Sequence, residues 1–320
     1  MSVESDTGFA TPETTYQKLR YRISQFANDH ILLVFMGPAL LAITAIFIYP
    51  VFYLLRQSLF LTIPGAPERF VWVENFITMF QTDVFYTYLK NTLLYSFGSL
   101  AISLGSGLII ALGINHVARS KLRDFYSTVL MFSWAIPLAV VALIWKWIFT
   151  GNELGLINMV LMDVGLINSA IPWLASSQMA MLAVILTDAW ARMPFAMLVL
   201  LAGLQSVPSH MYDAAKVDGA TSFQTFRAIT LQYIRPYIAI VALINWMFAF
   251  RAFAVVFPMT RGGPGTSTTL FSLPIYCEGT TNFNHGYSSA VAVFIIGISL
   301  LVATFYATMM MGWLACQLVL

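Results

Sequence analysis

Six apolar runs, each long enough to cross a lipid bilayer, constrain the fold of this 320-residue chain more than any other feature. A helix needs about 20 residues to cross a hydrocarbon core of about 30 Å. The predicted spans are residues 31–55, 91–116, 126–149, 178–205, 236–259 and 287–314. The sequence therefore predicts an all-α membrane protein, with a polar N-terminal segment at residues 1–30 and a six-helix transmembrane domain at residues 31–320.

The composition favours membrane lipid as the solvent for most of the chain. Hydrophobic residues make up 59% and charged residues 9%, whereas soluble domains carry about 25% charge. The net charge is +2 and the basic residues form no stripe, so we expect no nucleic-acid partner. The first apolar run is too long for the core of a signal peptide and is expected to remain as a span.

The sequence contains no pattern typical of an active site or a metal site. The four histidines are isolated, and Cys277 and Cys316 are predicted to lie on opposite sides of the membrane. A Gly-x4-Gly-Lys-Ser/Thr phosphate loop is absent. We therefore expect no catalytic residue, no metal and no bound cofactor in this chain.

The distribution of lysine and arginine predicts the orientation of the spans. One set of segments carries nine such residues, against three or four in the segments on the opposite side. The nine are Lys18, Arg20, Arg22, Arg119, Lys121, Arg123, Lys216, Arg227 and Arg235. Both termini and the loop between the fourth and fifth spans are therefore predicted to be cytoplasmic.

That loop, the 206–235 loop, is predicted to contain a helix that begins at Pro208 and ends at Val217. Proline suits the first turn of a helix, because its missing N–H has no partner there. The helix would present Met211, Ala214 and Ala215 on one face. Such a face of small residues favours packing against a protein, since insertion into lipid favours larger apolar side chains.

A second helix is predicted to follow a break at Asp218-Gly219, because glycine tolerates positive φ. Thr221 and Gln224 form a capping-box pattern that would start it. Pro236 is predicted to mark the start of the fifth span. The alternative is a loop that lies on the membrane surface with no partner.

Ionisable residues inside a span are costly and tend to mark function. Asp188 and Arg192 are four residues apart in the fourth run, so they share a helix face and can form an ion pair. A structural ion pair and a substrate-binding role both remain open for them. Lys146, near the outer end of the third run, is expected to extend to the membrane interface.

The 206–235 loop resembles the "EAA" loop of ABC importer permeases. The matching residues are Asp213-Ala214-Ala215, Asp218-Gly219-Ala220 and Phe226 with Ile229-Thr230-Leu231. Outside this loop, Phe76, Asn91-Thr92 and Arg261-Gly262-Gly263-Pro264-Gly265 with Thr269 resemble further motifs of the binding-protein-dependent sugar permeases, which include the maltose and glycerol-3-phosphate systems. The sequence departs from the family pattern at Asp213, usually Glu, and at Gln232, usually Pro.

The resemblance implies the fold of a type I ABC importer permease and a set of partners. These are a second permease subunit, two cytoplasmic ABC ATPase subunits that hold ATP and Mg²⁺, an extracytoplasmic substrate-binding protein, membrane lipid and a sugar substrate. The chain would lie in the cell membrane as a multi-pass subunit that is not itself an enzyme. Its ATPase-coupling residues would be Asp213, Ala214, Ala215, Asp218, Gly219, Ala220 and Phe226.

The resemblance also implies a substrate site on the two spans that flank the loop. By position, the matching residues are Asp188, Ala191, Arg192, Asn245, Phe248 and Ala249. The expected substrate is a di- or oligosaccharide or a polyol. Two alternatives stay open: a glycerol-phosphate permease, and a self-sufficient secondary carrier or channel. The sequence shows no internal repeat, which disfavours the carrier.

Overall fold

The computed structural model describes residues 31–62, 64–117 and 120–319. The predicted N-terminal segment at residues 1–30, with its basic residues, and Arg119 lie outside the described residues. The chain divides after Arg56 into two compact units. In the described residues of the first unit, helix α1 (Ile31–Ile43) continues through a π-helical turn (Thr44–Ile48) into α2 (Tyr49–Ser58), which ends two residues after the boundary at Arg56.

The second unit is predominantly helical in the described residues, with one two-stranded antiparallel hairpin that pairs Phe60 with Phe70. Its elements are β1 (Phe60–Leu61), β2 (Arg69–Phe70), α3 (Glu74–Gln81), α4 (Asp83–Asn115), α5 (Ser120–Trp134), α6 (Leu138–Ile148), α7 (Leu156–Asp163), α8 (Ser177–Gln205), α9 (Ser209–Val217), α10 (Ser222–Thr225), α11 (Leu231–Ala249), α12 (Phe253–Thr260), α13 (Ser272–Tyr276) and α14 (His285–Val319). Two further π-helical turns are Phe226–Thr230, between α10 and α11, and Cys277–Thr281, after α13.

Among the described residues, five helices are long and apolar enough to cross a membrane, and a bent pair can form a sixth span. The pair is α5 and α6, whose axes differ by 89°. Pro137 stands directly before α6 with extended backbone angles, φ −54° and ψ 130°. Because a proline also disfavours the helical conformation of the residue before it, the helix ends at Trp134. The third predicted span is therefore broken rather than straight.

The fifth span also differs from the prediction. Its helix begins at Ser222, runs through the π-helical turn and ends at Ala249, so that Pro236 lies inside the helix rather than at its start. Residues 250–252 form a turn, and the short helix α12 follows it. The predicted fourth span, by contrast, coincides closely with α8.

Helix α8 lies at the centre of the second unit and packs most extensively on α4. Small residues permit this close approach, as is usual between membrane helices. A Cβ atom added to Gly107 of α4 would lie 2.8 Å from the Cβ of Ala196 and 2.9 Å from the backbone nitrogen of Met197. The contact fixes the relative position of two helices that carry the polar groups described next.

Candidate transport pathway and coupling loop

Asp188 and Arg192 form a buried, bidentate ion pair on α8. The Arg192 Nε and Nη2 atoms each donate a hydrogen bond of 2.7 Å, to Asp188 Oδ2 and Oδ1 respectively. Ser99 of α4 donates a further hydrogen bond to Asp188 Oδ2. Both carboxylate oxygens are therefore occupied by the chain itself, and the Asp188 side chain has no exposed surface.

The predicted polar residue of the fifth span, Asn245, is also engaged within the chain. It is 2% exposed, and its Nδ2 donates a hydrogen bond of 3.0 Å to the Ser103 hydroxyl of α4. Ala249, one helical turn later, is buried as well. The bond from Ser99 to Asp188 holds α8 against α4, and the bond from Asn245 to Ser103 holds α11 against α4.

An open cavity of about 520 Å³ lies where the breaks in the third and fifth spans meet. Its lining, which defines the helix-break cavity, is Ser133, Trp134, Ile136, Leu138, Ala191, Arg192, Phe248 and Arg251. Non-helical backbone at membrane depth is tolerated only where it is buried in protein or lines a water-filled cavity. The two breaks therefore lie beside a cavity whose lining includes polar side chains, as this rule requires.

The cavity separates the predicted substrate residues into two groups. Ala191, Arg192 and Phe248 line it, and the Arg192 guanidinium lies over the Phe248 ring, 5.1 Å from its centroid. The other three predicted residues lie behind this surface and do not line it. A substrate role for all six stays a prediction, and only the first three line the cavity.

The sequence interpretation missed the contribution of the third span to this cavity. Trp134 and Ile136 lie at the α5–α6 break, and Arg251 lies at the turn that ends the fifth span. Two sequence features indicate these positions. Pro137 stands in the middle of the third apolar run, and Arg251 stands near the end of the fifth.

The 206–235 loop contains the two predicted helices. Pro208 caps α9, which ends at Val217, and Gly219 has a positive φ of +71°. The Ala220 N–H bonds to the Ala215 carbonyl at 2.9 Å and the Gly219 N–H to the Lys216 carbonyl at 3.1 Å. This is a Schellman arrangement, in which a left-handed residue satisfies the last carbonyls of a helix. The predicted break is thus a helix end that glycine makes possible.

The second helix of the loop begins with the predicted capping box. The Thr221 hydroxyl accepts a hydrogen bond from the Gln224 N–H, and the Gln224 side chain accepts one from the Thr221 N–H. The helix then continues without interruption into α11. The Tyr212 hydroxyl bonds to that of Thr230 at 3.1 Å and connects the two helices. A displacement of α9 is therefore mechanically linked to the fifth span.

The exposed surface of the loop differs from the predicted face. Ala215 is 8% exposed and packs inward, so Met211, Ala214 and Ala215 do not form one docking face as predicted. The reason is that the helix turns its small side chain towards its own chain. The exposed apolar side chains are instead Val217, 88% exposed, and Phe223, 72% exposed.

The predicted coupling residues are distributed around this loop. Asp213 is exposed and accepts a hydrogen bond of 3.3 Å from the Lys216 ammonium, while Asp218 is exposed beside Gly219. Asp213, Ala220 and Phe226 line a cavity of about 680 Å³, which also reaches the end of α4 at His116. A role of these residues in coupling stays a prediction.

The Asn91-Thr92 motif and the segment around Thr269 that follows the glycine-rich turn are joined by hydrogen bonds. Asn91 donates to the carbonyls of Thr266 and Thr269, at 2.8 and 3.2 Å, and Thr92 accepts from the Phe271 N–H at 3.2 Å. The Lys146 ammonium, expected at the membrane interface, donates to the Pro258 carbonyl at 3.1 Å. The glycine-rich turn is therefore anchored to the second span.

Comparison with known proteins agrees with this architecture. Residues 103–315 match the family described as binding-protein-dependent transport system inner membrane component. The chain belongs to this family. It is accordingly a multi-pass membrane protein from a family of transport permease subunits, which confirms the predicted family and fold class.

Two curated relatives extend the similarity over most of the chain. The sulfoquinovosyl glycerol transport system permease protein SmoG of Agrobacterium fabrum is 34% identical over 287 residues, which cover 87% of this chain and 90% of the relative. The trehalose/maltose transport system permease protein MalF of Thermococcus litoralis is 31% identical over 277 residues, which cover 86% and 90%.

A solved structure supports the fold independently. It is a bacterial ABC transporter involved in the import of the acidic polysaccharide alginate. One of its chains superposes on this protein with a TM-score of 0.75 at 25% identity, covering 90% of this chain and 98% of that chain. The helical order described above is thus that of an ABC importer permease.

Proposed function

We propose that this protein is the permease subunit of an ATP-driven, binding-protein-dependent importer for a di- or oligosaccharide or a polyol. The observation that carries the proposal is the similarity, over more than four fifths of the chain, to two permeases named for carbohydrate transport. The helix-break cavity supports it, because an aromatic and polar lining suits recognition of a small polar molecule.

The chain provides one half of the translocation pathway, and a second permease subunit provides the other. An extracytoplasmic binding protein delivers the substrate to the outer loops, and both termini and the 206–235 loop face the cytoplasm. The open side of the helix-break cavity supports this arrangement, since the described residues of one chain do not enclose it.

Two cytoplasmic ATPase subunits bind ATP and Mg²⁺, and this chain itself has no catalytic residue. One ATPase subunit docks on the exposed Val217 and Phe223 and on the polar residues beside them. Its movement displaces α9, and the continuous helix from Ser222 transmits the displacement to the cavity. ATP can drive transport in this way only because the partners bind the two permease conformations with different affinities.

A glycerol-phosphate substrate is the second candidate. The sn-glycerol-3-phosphate transport system permease protein UgpA of Agrobacterium fabrum is 27% identical over 282 residues, which cover 88% of this chain. Arg251 at the cavity would suit its phosphate.

The test is uptake into proteoliposomes that contain this chain with its second permease subunit and its ATPase subunits. Radiolabelled sugars and glycerol phosphate are presented outside with the cognate binding protein. The proposal predicts uptake of a carbohydrate that requires both enclosed ATP and the binding protein. Uptake that persists without the ATPase subunits would show a self-sufficient carrier and contradict the proposal.

A further inference from the structure

The helix-break cavity contains one cation that the described residues do not neutralise. The charge of Arg192 is neutralised by Asp188, which accepts hydrogen bonds from its Nε and Nη2 atoms. Arg251, by contrast, forms no ion pair or side-chain hydrogen bond with any described residue. No residue that lines the cavity is acidic. Asp188 balances the charge of Arg192. The cavity lining therefore has a net charge of one positive unit, which Arg251 carries.

The backbone holds Arg251 at this place. The Arg251 N–H bonds to the Phe248 carbonyl at 3.1 Å, and the Arg251 carbonyl accepts a hydrogen bond of 2.8 Å from the Phe253 N–H. The turn between α11 and α12 thus fixes the Cα position from which the guanidinium reaches the cavity. Arg251 is exposed and lies two residues beyond the end of the candidate span Ser222–Ala249. Its guanidinium therefore lines an open cavity without a counter-charge from the described residues, and an anionic group of a bound molecule would supply one.

The surroundings fit an anion that is attached to a sugar. Trp134, which also lines the cavity, is held by a stacked contact with Phe195, with ring centroids 6.3 Å apart and planes at 22°. Phe248 offers a second ring, 45% exposed. Aromatic faces bind the apolar faces of sugar rings, while a guanidinium binds carboxylate, sulfonate or phosphate through paired hydrogen bonds.

We propose that Arg251 binds the anionic group of the transported carbohydrate, and that this substrate is a uronate, a sulfonated sugar or a sugar or polyol phosphate. The inference rests on the proposed function as an importer permease and makes it narrower. The ion pair on α8 is essential to it, because a free Asp188 carboxylate would repel such a substrate.

The experiment has two steps and uses the complete complex. First, the purified cognate binding protein is screened by thermal shift against neutral sugars, each paired with its uronate, sulfonate and phosphate counterpart. Second, the saccharide that binds is used for ATP-dependent uptake into proteoliposomes, at saturating binding protein. The variants are Arg251→Gln, Arg251→Lys and the control Lys121→Gln, which removes an exposed cation on α5 that does not line the cavity.

We expect the binding protein to bind an anionic sugar in preference to the neutral sugar of the same structure. Comparison of the uronate, the sulfonate and the phosphate then identifies the anionic group. Arg251→Gln should reduce uptake at least tenfold, Arg251→Lys should retain a substantial part, and Lys121→Gln should transport at the normal rate. Gel filtration of each complex verifies assembly.

Three results would overturn the inference. One is selection of a neutral sugar, and another is unchanged uptake by Arg251→Gln. The third is loss of the second permease subunit from the Arg251→Gln complex, which would identify a carboxylate of that subunit as the counter-charge. In the first two cases ATP-dependent sugar uptake persists and the proposed function stands. Absence of uptake for every saccharide, with an assembled complex, would instead contradict the proposed function.

Discussion

Removal of Arg192 should destabilise the protein far more than removal of both members of its ion pair. In Arg192→Met, the fully buried Asp188 keeps only the hydrogen bond from Ser99. Two charge-assisted hydrogen bonds of 2.7 Å are lost, each worth about 1.5–3 kcal/mol. A buried charge left without its partner costs about 3–5 kcal/mol in total. We expect a loss of that size in the free energy of unfolding.

The double variant Asp188→Leu/Arg192→Met removes both charges and keeps comparable side-chain volumes. Well-packed apolar replacements of a buried ion pair are often neutral or stabilising. We therefore expect it to regain most of the stability that Arg192→Met loses. The control is Arg69→Met, which removes an exposed arginine on β2 and should change stability by less than about 0.5 kcal/mol.

The assay is denaturant unfolding of the purified chain in detergent, followed by tryptophan fluorescence. If Arg192→Met is as stable as the parent, or if the double variant is as unstable as the single one, the pair does not hold α8 in the way described. An unchanged rate and substrate range of uptake in both Asp188→Asn and Asn245→Ala would in addition remove these two residues from the substrate site.

Three further predictions concern the backbone. Gly107→Ala should lower the free energy of unfolding by about 1–3 kcal/mol, because the new Cβ would lie 2.8 Å from the Cβ of Ala196 on α8. Its control is Gly113→Ala on the same helix, where the new Cβ would have no neighbour within 4 Å and should leave the free energy of unfolding unchanged in the same assay. Gly219→Val should strain the left-handed turn by about 1–2 kcal/mol and separate ATP hydrolysis from uptake, whereas Gly219→Asn should retain coupling; equal ratios of hydrolysis to uptake in the two variants would disprove a role for the turn. Asn158→Ala should lower the thermal midpoint, because it removes five hydrogen bonds and leaves the part-buried Ile171 N–H and Trp173 Nε1–H without their acceptor, at about 1–3 kcal/mol each. The exposed Asn282→Ala is its control, and equal midpoints would contradict the reasoning.

The features that could be predicted from sequence are those that local chemistry determines. The apolar run of the fourth span, the capping box at Thr221 and the left-handed glycine at Gly219 all depend on residues close to one another in sequence. The ion pair on α8 follows from the spacing of four residues alone. For these elements the sequence contains the whole cause.

The helix breaks could not be predicted in the same way. Pro137 stands at a break, but Pro194 and Pro236 lie inside continuous helices. Whether a proline ends a membrane helix depends on what surrounds the freed backbone groups. Hydropathy averages over such positions, so the runs containing both breaks were interpreted as straight spans. The cavity between them was missed for the same reason.

The accessibility of individual side chains also needed tertiary contacts. Asp188 had an evident partner in Arg192, but the third contact comes from Ser99, 89 residues earlier in the chain. That contact, together with burial, is what removes Asp188 from the cavity surface. Ala215 turned inward for a comparable reason, since the position of α9 against its neighbours decides which of its faces is exposed.

If the helix-break cavity is this chain's part of a pathway whose access is controlled by ATP, nucleotide must change how accessible its lining is. The measurement is the labelling rate of Ser133→Cys, at a residue that lines the cavity, in a complex whose permease chains have no other cysteine. A membrane-impermeant thiol reagent is added from the outside of proteoliposomes. We expect a non-hydrolysed ATP analogue on the ATPase subunits to change the labelling rate and the bound saccharide to protect the thiol. A rate unaffected by nucleotide and by saccharide would contradict it.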